Sequence, residues 1–200
     1  MVPGAGAVGE AAAELFVEAV AGAIAARGRA LVALTGGSAA PPIFAALKGA
    51  WWRARVAWPQ VEFFYSDERA VSSTDPLSNH GLAEREFLGP LGIAKERVHR
   101  LRGEAQDQAA EALRAAAELR SVAAGSQAPT NGSPKLVSRP TEGPPRFDLI
   151  LLGLGPDGHI CSLFAGTDSA AERGEELVRA VAAPERVEPH VPTSPSRRQR

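Results

Sequence analysis

The hydrophobic positions of the chain follow two periods. Between Glu10 and Ala26, Leu15, Phe16, Ala19, Val20, Ala23 and Ile24 recur at helical spacing and Gly28 follows as a stop signal, which predicts an amphipathic opening helix. Ala30–Leu34 is a short continuous apolar run and Val61–Tyr65 is β-branched and aromatic, so both read as strands. Each empties into chemistry-bearing sequence: Thr35-Gly36-Gly37-Ser38 after the first, Ser66-Asp67-Glu68-Arg69 after the second. Pro41 and Pro42 stand where a helix begins, and Ile43–Leu47 continue it. Ser78 is placed to cap a helix running through Leu82, Phe87 and Leu88. Val98–Leu101 suggests a short strand, and Glu104–Ala124, rich in Ala, Glu and Arg, predicts a long helix.

The third apolar run opens the stretch from Phe147 to Phe164, F-D-L-I-L-L-G-L-G-P-D-G-H-I-C-S-L-F. Leu149–Leu152 lacks the alternation of a half-solvated strand, so it fits a parallel strand buried on both faces. Gly153, Gly155 and Gly158 then permit tight backbone, and Asp157 and His159 arrive among them. Leu177–Ala182 is one more candidate strand. Strands alternating with helices predict an α/β fold with a parallel sheet.

That pattern breaks twice. Residues 125–146 pack Pro129, Pro134, Pro140, Pro144 and Pro145 among Ser, Thr, Asn and Gly, and are expected to form a mobile loop inserted in a domain spanning 10–184. Residues 185–200 show neither period and are expected to be disordered.

Composition narrows the class. Two hundred residues with 44% hydrophobic content suit one globular domain. The single cysteine, Cys161, excludes an internal disulfide and a multi-cysteine metal site and fits a reducing compartment, so the cytoplasm is expected. A monomer is the expected state. A net charge of -1 without a basic stripe argues against nucleic acid. No apolar run approaches the ~20 residues that span a bilayer, and the first residues lack the basic start of a secretory leader, so no membrane partner is expected.

Ligands in open α/β sheets sit beyond the strands' carboxyl ends, where three loops fall: 35–38, 67–69 and 155–159. Gly36-Gly37-Ser38 before a helix offers backbone N–H groups, a hydroxyl and a helix N-terminus for an anion, although it is neither a P-loop nor a dinucleotide fingerprint. Arg69 is the cation adjoining these motifs and suits a phosphate fork. His159, two residues after Asp157, is the natural general acid or base. The plain alternatives are a glycine turn, a solvated ion pair and a surface histidine. Cys161 is a weak nucleophile candidate, because Ile160–Phe164 looks like a helix start packing on the core; His80, His99 and His190 read as surface or packing residues.

With these residues assembled, the chain resembles the 6-phosphogluconolactonases over roughly Leu15 to Pro184. The resemblance is carried by Thr35-Gly36-Gly37-Ser38, by Asp67-Glu68-Arg69 through Ser78-Asn79-His80-Gly81, and above all by Gly153–Phe164. It implies a modified Rossmann-like parallel sheet flanked by helices, similar to glucosamine-6-phosphate deaminases and ribose-5-phosphate isomerases. It also implies hydrolysis of 6-phosphogluconolactone in the pentose phosphate pathway, without metal or organic cofactor. On that resemblance His159 activates water, Asp157 or Asp67 orients the imidazole, and Arg69, Gly36, Gly37, Ser38 and Asn79 hold phosphate or the developing oxyanion. Ser162-Leu163-Phe164 resembles the lactonases, whereas deaminases continue with a Phe-Asn-Glu type sequence.

The sequence departs from the family at Ala39-Ala40, where Thr-Pro is common, at Ala165, where proline is usual, and in the length of 125–146. After Pro184 it lacks the family's Arg-Val-Thr-Leu-Thr-Leu-Pro strand and its Gly-x-x-Lys-Ala turn, so a C-terminally truncated chain is expected. Two further readings stay open: a sugar-phosphate isomerase or deaminase in which Asp67 abstracts a proton, and an inactive sugar-phosphate-binding domain.

Overall fold

Gly9, Ala13, Phe16, Val20 and Ala23 form the buried stripe of α1 (Ala5–Arg27), a three-and-four spacing that turns one helix face inward. Leu15, expected on that face, is 62% exposed because it lies beside the stripe. Gly28 ends the helix at φ 76°, donating its N–H to the Ile24 carbonyl at 2.7 Å. The structure is a computed structural model and describes residues 4–125, 144–155, 157–167, 169 and 176–182, with the backbone of 191–192.

β1 (Ala30–Leu34) and β2 (Val61–Tyr65) are buried at every position and pair in parallel, from Ala30 opposite Val61 to Leu34 opposite Tyr65. β4 (Leu149–Ile150) pairs in parallel with the other side of β1, giving the order β2-β1-β4. β4 is shorter and less buried than its apolar run suggests. Leu149 and Ile150 are half-buried, and Leu152 is 47% exposed, because β4 has β1 on one side only among the described residues.

Alternation along the strands divides the core into two layers. Ala30, Val32, Leu34, Val61, Phe63 and Tyr65 face α1, α2 (Ala40–Lys48) and a wide helical turn at Glu84–Leu88. There Phe87 stacks on Phe44 at 4.8 Å between ring centroids and meets Phe63 edge-on at 5.9 Å. Leu31 and Phe64 face the opposite way, onto Ala116, Leu119 and Val122 of α6 (Gln108–Ala123). Helices thus cover both sheet faces, as an α/β parallel sheet requires.

Asp107 caps α6 by accepting from the Ala110 N–H at 2.9 Å, so the helix begins four residues later than composition alone suggests. Ser78 caps α4 (Asn79–Ala83) through the Gly81 N–H at 2.9 Å. The other helical pieces are α3 (Ala50–Arg53) and α5 (Gly89–Leu91). Val98–Leu101 contributes a single parallel bridge, Phe63 to Val98, rather than a strand. Residues 177–182 form no strand either; Leu177 is buried by packing on the Leu31–Phe64 cluster. In the tail expected to be disordered, β5 (Val191–Pro192) pairs antiparallel with β3 (Asp67–Glu68). The loop expected at 125–146 lies almost entirely outside the described residues. No helix among the described residues is long and apolar enough to cross a membrane.

Candidate active site

Because β1, β2 and β4 are parallel, their carboxyl ends open on one edge, and the three loops expected there do meet. Ser66, just past β2, donates its hydroxyl across the end of β1 to the Leu151 carbonyl at 2.8 Å. Asp67 follows, 4% exposed, with Ser162 Oγ donating to its Oδ2 at 2.9 Å and Asn79 Nδ2 donating to its Oδ1 at 3.1 Å. Asn79 stands against Gly36, where an added Cβ would lie 1.7 Å from Oδ1 and would have to displace the amide. The second and third loops are therefore joined through the buried side chains of Asp67 and Ser162, and Asn79, bonded to Asp67, packs against Gly36 of the first.

The third loop folds tightly after β4. Gly155 donates its N–H to the His159 carbonyl at 2.8 Å, Cys161 donates to the Gly153 carbonyl at 3.2 Å, and Gly158 takes a left-handed φ of 86°. Asp157 and His159 are thereby brought side by side, with Nδ1 and Oδ1 2.5 Å apart. Phe164 flanks the imidazole, its ring centroid 5.2 Å away. The hydrogen bond with His159 holds the Asp157 carboxyl below its ordinary value. Nδ1–H donation to a carboxylate leaves Nε2 as the basic nitrogen.

Asp67, the other expected orienting group, accepts hydrogen bonds from Ser162 and Asn79 instead; Asp157 is the partner of the ring. Burial pushes the Asp67 carboxyl up, while the Ser162 hydroxyl and the charges of Arg69 and His159 pull it back. Gly37 and Ser38 are exposed just ahead of α2, with Gly37 at φ 63°. The first turn of that helix presents N–H groups without intrahelical acceptors. Arg69 is half-buried at the same edge.

Three residues depart from expectation. Asn79, expected to touch phosphate, is 3% exposed and its amide is committed to Asp67, so it braces the site from beneath. Cys161 sits in a turn at φ 51° rather than in a helix start, and burial together with the Asp67 charge pushes its thiol up to about 11. Such a thiol is a poor nucleophile near neutral pH. Glu68 is a structural carboxylate: buried, it accepts from the N–H groups of Arg69, Asn79 and His80 at 2.8, 2.7 and 2.9 Å and from Ser78 Oγ at 3.1 Å. The sequence carries a faint sign of that role, a carboxylate ten residues before a capping serine, and none for Ser162, which reads there as a packing residue.

A family model described as glucosamine-6-phosphate isomerases/6-phosphogluconolactonase matches residues 3–195. The chain belongs to this family. It is 34% identical over 168 residues to the 6-phosphogluconolactonase of Mycobacterium tuberculosis, covering 84% of this chain and 63% of that relative. To the Synechocystis 6-phosphogluconolactonase it is 35% identical over 159 residues, covering 78% of this chain and 57% of the relative. Its fold matches the solved 6-phosphogluconolactonase of Trypanosoma brucei with a TM-score of 0.67 at 26% identity, over 96% of this chain and 73% of that one. The chain therefore spans somewhat less than two thirds of the length of these curated relatives. Family membership and the parallel sheet agree on one architecture, in which Gly36, Asp67, Asn79, Asp157 and His159 gather at one sheet edge.

Proposed function

We propose that this site hydrolyses 6-phospho-D-glucono-1,5-lactone to 6-phospho-D-gluconate, the pentose phosphate pathway reaction for which the relatives are named, and that it does so in the cytoplasm. The observation that carries the reading is the Asp157–His159 pair standing at the edge where the three loops meet. With Nδ1–H turned to Asp157, Nε2 takes a proton from water as the water oxygen bonds to the lactone carbonyl carbon. The tetrahedral oxyanion collapses, the bond from carbon to ring oxygen breaks, and the imidazolium returns its proton to that oxygen. Arg69 and the N–H groups of Gly37 and Ser38 hold the phosphate and steady the oxyanion. Asp67 and Asn79 keep this arrangement in register from below.

The test follows lactone consumption above its spontaneous rate, coupled to oxidation of the phosphogluconate formed. The chain should accelerate hydrolysis and His159→Ala should return it to background. Full activity in His159→Ala would refute the base assignment. Turnover of glucosamine 6-phosphate in place of the lactone would assign the chain to the other branch of its family. Thermal stabilisation by 6-phosphogluconate without turnover would make it a binding domain.

A further inference from the structure

Ser162 lies three residues beyond His159 and is fully buried. A serine at such a position often does no more than fill space, but this one donates to a charge-bearing oxygen, Asp67 Oδ2, at 2.9 Å. The opposite oxygen of the same carboxylate takes the Asn79 amide, which also donates to the Asp67 main-chain carbonyl at 3.0 Å. One hydroxyl thus fastens the loop bearing the general base to the segment after β2, and one amide fastens that segment to the first turn of α4, which packs against Gly36. A carboxylate this deeply buried stays charged only through its donors and through nearby positive charge. Here the charges acting on it are those of Arg69 and of His159 itself.

Resting on the lactonase reading and deepening it, we propose that Ser162 is a positioning residue. It holds the Asp67 carboxylate, and with it the His159 loop, so that the imidazolium formed during proton transfer faces a second negative charge besides Asp157. Asp157 sets the ring's orientation from the exposed side, and Asp67, kept in place by Ser162 and Asn79, supplies the field from the buried side. Ser162 acts through Asp67 and never touches the lactone.

The experiment compares wild type, Ser162→Ala, Asp67→Asn and the double variant for kcat and KM of lactone hydrolysis. Ser162→Ala should lower kcat roughly tenfold to a hundredfold, the scale on which lost supporting hydrogen bonds act at a site. KM should change less than about threefold, because phosphate contacts are untouched. The Asp67 carboxyl should ionise at higher pH, since a carboxylate deprived of a donor ionises later. In the Asp67→Asn background the serine substitution should cost less than about twofold more. Losses that multiply in the double variant would overturn the proposal.

Ser162→Cys keeps a donor at the position, a weaker one on a larger atom, and should lower kcat in the same direction even where the alanine variant fails to fold. Titration of the Asp67 carboxyl carbon by NMR needs no turnover. Its midpoint should rise in Ser162→Cys relative to wild type, and an unchanged midpoint would overturn the brace. A wild-type chain that hydrolyses no lactone would sink the lactonase reading alone, and this titration would then decide the role of Ser162.

Discussion

The His159 imidazole lies directly on the backbone of Gly155: a Cβ added at Gly155 would stand 2.2 Å from Cε1 and 2.4 Å from Nδ1. Neither distance is tolerable, so any side chain there must displace the ring. Gly155→Ala should cut kcat/KM about a hundredfold, as small misplacements of a reacting group do. It should leave the thermal midpoint within a few degrees, since the segment is a half-exposed loop rather than core. Steady-state kinetics beside a thermal melt checks this; a variant that melts early with normal specific activity would contradict it.

Asp157 makes a different demand on the same ring. Its hydrogen bond fixes the Nδ1–H tautomer, so Asp157→Ala should lower kcat by two to three orders of magnitude while KM stays within about threefold, by analogy with other carboxylate-oriented histidines. Because its bond with His159 holds its own titration below the ordinary value, Asp157 should be charged across the working range. The acid limb of the rate profile therefore belongs to other groups, and removing Asp157 should not abolish it. A pH–rate profile of the variant tests both statements.

Much of this site is legible in the sequence because strand ends and glycines leave local marks. Gly36, Asp67, Asp157 and His159 each follow an apolar run, and position relative to a strand end is a short-range property. The partner of each group is not. That Asn79 turns inward to Asp67, and that Ser162 reaches back 95 positions to the same carboxylate, depends on how three loops stack in space. For the same reason β4 reads as longer and more buried than it is: apolar content reports what a segment tolerates, while pairing decides what it becomes. Residues 177–182 show this plainly, since Leu177 is buried by side-chain packing, with no strand neighbour among the described residues.

Glu68 offers a test of scaffold rather than chemistry. Its carboxylate takes three backbone N–H groups and one hydroxyl, tying the end of β2 to the first turn of α4. Burial pushes the group up and these donors oppose it. In Glu68→Gln one oxygen becomes an NH2 facing donors, so at least one buried N–H loses its acceptor at a cost of about 1–3 kcal/mol. A urea midpoint lowered correspondingly is expected, and a midpoint equal to wild type would show that α4 repacks.

On the opposite face of the sheet His99, read from sequence as a surface or packing residue, lies between two carboxylates. Nε2 is 3.0 Å from Glu62 and Nδ1 2.9 Å from Glu118, with the ring stacked on Phe64 at 4.5 Å. Arg97 bonds Glu62 and Arg114 bonds Glu118, so the negative groups are themselves held in place. Burial pushes the imidazole down, but the hydrogen bonds and charges of Glu118 and Glu62 outweigh it and raise His99 to about 9. Its bond with His99 brings Glu118 down to about 2. The unfolded histidine titrates near 6.5. Its contribution to stability is therefore complete below that pH and disappears as pH rises through 9. Glu118 contributes above the ordinary carboxylate range and loses its share as pH falls toward 2. Allowing for the partial exposure of Glu118, the alkaline loss should be on the order of 2 kcal/mol. Urea midpoints measured at pH 6, 8 and 10 should fall steadily for the wild-type chain, whereas His99→Gln should start lower and stay nearly level; equal wild-type midpoints at pH 6 and 10 would mean that His99 is neutral between its two carboxylates.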